Sequence, residues 1–88
     1  MTIKVFYNDS FLKSAKKLPK KIQEQLAEKM TLLQQNPFHK SLHAKPLSGK
    51  LAGFFSFRIT RDWRVIFQFI DPELIKLVHI AHRKNIYR

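Results

Sequence analysis

The sequence predicts an α+β domain in which two helices cover one face of a single, mainly antiparallel sheet. Three observations lead there. Apolar residues recur at helical spacing from Phe11 to Leu33. They then alternate with polar ones through two runs, Phe54 to Thr60 and Arg64 to Ile70. A last apolar run, Leu74 to Ala81, follows a turn at Asp71-Pro72-Glu73. Amphipathic helices next to half-apolar strands must bury their stripes against a sheet. The expected order is β-α-α-β-β-β.

Ile3 to Tyr7 is short, β-branched and aromatic, and suits an opening strand. Asn8, Asp9 and Ser10 can each cap a helix whose apolar positions are Phe11, Leu12, Ala15 and Leu18. Lys13, Lys16 and Lys17 fall on its other face. Pro19 closes this helix and fits the first turn of the next, where its missing N–H costs nothing. Ile22, Leu26, Met30 and Leu33 form the stripe of that second helix, which Asn36-Pro37 ends. Residues 38–50 read as an ordered surface connection anchored by Phe38, Leu42 and Leu47. In the next strand Phe55, Phe57 and Ile59 share one face, while Phe54, Ser56, Arg58 and Thr60 share the other. In its partner Val65, Phe67 and Phe69 oppose Arg64, Ile66, Gln68 and Ile70. Thr60-Arg61-Asp62 is short enough for a hairpin. Leu74 to Ala81, apolar on both faces, reads as a central strand.

The 88 residues allow one domain, residues 1–88, with one modest core. No cysteine is present, which excludes disulfides, thiolate catalysis and cysteine-ligated zinc. No apolar run is long enough to span a membrane and no signal-peptide core is visible, so a cytoplasmic protein is expected. Seventeen Lys and Arg against six Asp and Glu give a net charge of +11. An excess of that size attracts polyanions. DNA, RNA and an acidic protein all satisfy it.

With only Gly49 and Gly53, a glycine-rich phosphate loop is excluded, and no Ser-His-Asp arrangement is present. The four His lack helical metal spacing and accompanying carboxylates, so neither a metal site nor a cofactor is expected. What the chain does offer is cationic. If the strands pair antiparallel, Arg58, Arg64, His82, Arg83 and Tyr87 can converge on one open sheet face. Guanidinium, imidazole and phenol suffice to hold and cleave a phosphodiester without a metal. Singly, each Arg reads as solvated surface, and Trp63 serves equally as a stacking platform or as packing. His79, inside an apolar strand, reads as a hydrogen-bonded structural residue. His82, at the strand end, is the more accessible imidazole.

Five segments carry a family resemblance: Lys45-Pro46-Leu47, Leu51-Ala52-Gly53-Phe54, Phe57-Arg58-Ile59-Thr60, Trp63-Arg64-Val65-Ile66-Phe67 and His82-Arg83-Lys84-Asn85-Ile86-Tyr87. Together they resemble the RelE/ParE superfamily of type II toxin–antitoxin toxins, closest to its RelE/YoeB-like mRNA interferases. The resemblance implies a ribosome-dependent mRNA endoribonuclease, in which the RNA's own 2′-hydroxyl attacks the adjacent phosphate. It matches Arg64, Arg83 and Tyr87 to the family's catalytic positions and Arg58 to a basic residue on the preceding strand; with His82, the one conventional acid or base left near them, these give Arg64, His82, Arg83 and Tyr87 as catalytic candidates and Arg58, Arg61, Trp63, Lys45 and Lys50 as RNA-binding ones. It implies an acidic cognate antitoxin, ribosome-bound mRNA as the other partner, and allows a toxin–antitoxin heterotetramer. Two departures stand out. Phe55 and Phe57 are expected where RelE carries a pair of lysines, and Lys45 stands where YoeB-like members have a glutamate. These keep open a ParE-like inhibitor of DNA gyrase and an antitoxin-binding module without activity.

Overall fold

The computed structural model describes residues 2–86, the side chain of Ile86 excepted. Strand β1 (Lys4–Tyr7) leads into helix α1 (Asp9–Lys16) through Asn8, whose side-chain oxygen accepts from the Phe11 N–H at 2.8 Å. Of the three expected capping residues, Asn8 takes the role because its extended backbone aims that oxygen at an otherwise orphaned donor. Pro19 precedes α2 (Lys20–Gln35), which ends where the Asn36 side chain turns to accept the Phe38 N–H at 3.0 Å.

The connection after α2 is built from two 3-10 turns, Lys40–Leu42 and Gly49–Leu51, around a two-residue strand β2 (Lys45–Pro46). That strand is an addition to the expected order. Its partner is β3 (Phe55–Arg58), followed by β4 (Trp63–Asp71), β5 (Leu74–His82) and a four-residue helix α3 (Arg83–Ile86). Gly53, at φ 94°, makes the turn into β3 in backbone space that side-chain-bearing residues avoid.

The strands line up as β1-β5-β4-β3-β2. Pairing is antiparallel throughout except at β1, which runs parallel to β5 with Val5 opposite Ile75. The first strand thereby makes β5 an interior strand, and this accounts for its apolar residues on both faces.

One sheet face meets the helices. Phe57, Val65, Phe67, Ile75 and Leu77 are fully buried there with Leu33, and Phe11, Leu18, Leu26 and Ile80 complete the cluster. Phe57 and Phe67 lie 5.8 Å apart, and Phe55 stacks on Phe67 at 5.7 Å. Such pairs add about 0.5–1.5 kcal/mol beyond the area they bury. Among the described residues, no helix is long and apolar enough to cross a membrane.

Two β-bulges interrupt the β4–β5 ladder. Ile66 pairs with His79 but Phe67 pairs with Leu77, so Val78 is an extra residue in β5. A single inserted residue reverses the facing of everything beyond it. Leu77 and Ile80, three apart, therefore both reach the core, and Ala81 turns to the other face.

Candidate functional site

The sheet face away from the helices is assembled by register. Arg58 pairs directly with Arg64, and Arg64 in turn with Ala81. One step along, Lys45, Ser56 and Ile66 form the next row. Side chains directly opposite one another have Cβ atoms about 4.5–5.5 Å apart, so the two arginine side chains start as immediate neighbours. Like charges so placed destabilise the pair unless an anion lies between them.

This face is not simply solvated. Arg64 is only 7% exposed, Ser56 is fully buried, and Arg58 is half-buried. Among the described residues, Arg58 Nε, Arg64 Nε and Ser56 Oγ are buried without a hydrogen-bond partner. The ion pair described nearby joins Asp62 to Arg83, with Oδ1 and Nε 3.6 Å apart and both side chains about half-exposed. It leaves Arg64 and the half-buried Arg58 without a carboxylate among the described residues. An unpaired buried donor costs about 1–3 kcal/mol, more when charged. Three such atoms at adjoining register positions supply donors suited to a multi-oxygen anion, which guanidinium binds in a bidentate manner.

Arg83 begins α3 and is held at the β3–β4 turn by two contacts, the ion pair and its N–H donating to the Asp62 carbonyl at 2.8 Å. Arg61 lies exposed in the same turn, and Lys50 lies exposed in the second 3-10 turn. Lys45 is exposed on β2 and shares the face of Ser56. Tyr87 lies outside the described residues.

Two expectations are corrected here. His82 does not join Arg58 and Arg64. It pairs with Trp63, their rings 5.3 Å apart edge to face, while Ala81 sits beside Arg64. Uninterrupted alternation from Leu77 carries His82 to the outer face; the bulge at Val78 returns it to the helix side. Its Nδ1 accepts the Lys84 N–H at 3.4 Å, fastening the first turn of α3. The second correction concerns Phe55 and Phe57. Both point into the aromatic core, so they cannot occupy the site-facing positions of the lysine pair. On β3 those positions belong to Ser56 and Arg58. Ser56 was legible by alternation with Arg58, but a small hydroxyl between two phenylalanines gave no chemical signal.

Trp63 belongs to the helix face. With Lys13, Ser14, Lys17, His79 and Ile80 it lines a groove of about 540 Å³ between α1 and the ends of β4 and β5. The His79 ring nitrogen Nδ1 lies 3.1 Å from Ser14 Oγ, in line with its structural reading, although its side chain is exposed. Among the described residues, no group of three His, Asp or Glu is gathered as a metal ion would need.

This architecture is that of the small RelE-like toxins. RelBE2, a toxin–antitoxin complex from Mycobacterium tuberculosis, contains a chain 25% identical with a TM-score of 0.77, covering 94% of this chain and 100% of that one. The archaeal RelE–RelB complex from Pyrococcus horikoshii gives 25% identity and a TM-score of 0.75, over 94% of this chain and 97% of that one. YafQ from E. coli shares the fold at 21% identity and a TM-score of 0.78, over 98% and 99% of the two chains. A search of curated protein sequences returns no match. The model of the ParE toxin family of type II toxin–antitoxin systems matches residues 5–87, and the chain belongs to that family. It is the toxin of a type II toxin–antitoxin system.

Proposed function

We propose that this toxin is a metal-independent endoribonuclease that cuts mRNA on the ribosome in the cytoplasm and is neutralised by an acidic cognate antitoxin. The observation that carries the reading is the Arg58–Arg64 register pair, one arginine buried and the other half-buried, whose Nε donors are unpartnered among the described residues. A scissile phosphodiester supplies the anion that this pair lacks. As the RNA 2′-oxygen attacks phosphorus, negative charge grows on the non-bridging oxygens, and donors aimed there stabilise that charge. The bond from phosphorus to the 5′-oxygen then breaks, leaving a 2′,3′-cyclic phosphate and a 5′-hydroxyl.

Arg58 and Arg64 hold the phosphate, Arg83 adds charge from the α3 end, and Tyr87 serves proton transfer. His82, turned towards Trp63, reaches the phosphate only if the α3 turn opens. Ribosome dependence fits this set: cations abound, while the register neighbours of Arg64 supply no general base. The RNA must therefore arrive already bent for in-line attack.

The second reading is a ParE-like inhibitor of DNA gyrase, favoured by the family match and by the displacement of His82. The discriminating experiment is primer extension on translated mRNA beside a gyrase supercoiling assay. Cleaved transcripts with supercoiling intact support the nuclease. Intact transcripts with blocked supercoiling replace it with the gyrase reading.

A further inference from the structure

Ser56 is fully buried, and its Oγ has no hydrogen-bond partner among the described residues. It lies in the middle of β3 with Lys45 across one ladder and Ile66 across the other. Arg58 is two residues away on the same face, about 7 Å along the strand. Arg64 is its diagonal neighbour, at about the same Cβ separation and within reach of a long side chain. Among the described residues, nothing uses a hydroxyl at this position. Its backbone is satisfied by two ladders, and an alanine there would leave no polar atom stranded. The Nε atoms of the two neighbouring arginines are stranded in the same way among the described residues.

We propose that Ser56 is a ligand-contacting residue of the arginine site, its hydroxyl donating a hydrogen bond to a non-bridging oxygen of a nucleic-acid phosphodiester. This rests on the reading of Arg58 and Arg64 as phosphate holders, and extends their site to the β2–β3 row. Because Ser56 is fully buried, ligand entry requires the groups that cover it to shift. The hydroxyl thus contributes to binding and detracts from folding, as buried polar groups at binding sites commonly do.

The test pairs two measurements on Ser56→Ala: thermal unfolding, and anisotropy titration with a fluorescein-labelled single-stranded RNA and with DNA of the same sequence. The expected result is a melting temperature unchanged or raised, with affinity for both probes about 10–150-fold weaker, as loss of one hydrogen bond to a charged group predicts. Unchanged affinity for both overturns the proposal, as does weaker binding accompanied by a lowered melting temperature, which marks a structural serine. Loss for RNA alone overturns the phosphate assignment in favour of a contact to the 2′-hydroxyl. Arg64→Ala, titrated in parallel, separates the two levels. If it weakens binding and Ser56→Ala does not, Ser56 alone falls; if neither does, the phosphate-holding reading falls with it.

Discussion

Arg64 is the residue on which the proposed chemistry turns, and its burial makes its variants informative. A guanidinium at 7% exposure with an unpartnered Nε contributes little to folding and much to any anion it meets. Arg64→Ala is expected to abolish growth arrest, with cleavage about 10²–10³-fold slower, while circular dichroism is preserved. A folded variant that arrests growth as the parent does would remove Arg64 from the mechanism. In RNA titrations across salt concentration, the same variant should lower the slope of log affinity against log salt by about 0.7, the share of one phosphate contact on a single strand. Phe57 gives the opposite kind of result. It is fully buried against Phe67, so Phe57→Ala is expected to cost about 3–5 kcal/mol in denaturant unfolding, with activity falling only as the folded fraction falls.

At the level of elements, two short connections decide what reaches the site. The Asp62–Arg83 contact ties the β3–β4 turn to α3, but both side chains are about half-exposed. Asp62→Ala should therefore change stability by no more than about 1 kcal/mol. Its effect is expected on Arg83, whose guanidinium is released from the turn, and the check is urea unfolding beside an RNA titration of the variant. Helix α1 and the start of α2 carry Lys13, Lys16, Lys17, Lys20 and Lys21, and two of these line the groove with Trp63 and His79. An acidic antitoxin segment should be steered to this surface, with association slowing as salt rises. Stopped-flow rates that stay constant from low to high salt would rule out electrostatic steering.

For the molecule as a whole, charge and donor chemistry lead to one experiment. A toxin with a net charge of +11, whose proposed site consists of arginines, should cleave ribosome-bound mRNA equally well when the chemical step is run with the catalytic metal requirement removed. Ribosomes stalled on mRNA in magnesium can be exchanged into a cobalt hexammine buffer, which preserves their structure without supplying an inner-sphere metal. Cleavage is expected to persist, ending in 2′,3′-cyclic phosphate. Loss of cleavage on intact ribosomes would return a metal to the mechanism.

The sequence by itself determined both long helices with their stripes, the four longer strands in order, and the faces of β3 and β4, because each rests on local periodicity; the two-residue β2 and the four-residue α3 were too short to show one. Phe11, Leu26 and Leu33 on the helices, and Phe57, Val65 and Phe67 on the strands, all fall where spacing placed them. It also placed Arg58 and Arg64 together, since a short turn between alternating strands fixes their register. Tertiary structure decided the rest. Pairing of β1 with β5 joins residues some seventy positions apart, and no local pattern encodes its parallel sense. The bulge at Val78 inserts one residue into an apolar run that looks regular, and that one residue moves His82 from the arginine face to Trp63. Burial of Arg64 and Ser56 likewise depends on what covers the sheet, which periodicity cannot express. Alternation gives a side chain its face; only the assembled neighbours decide whether that face meets water or waits for an anion.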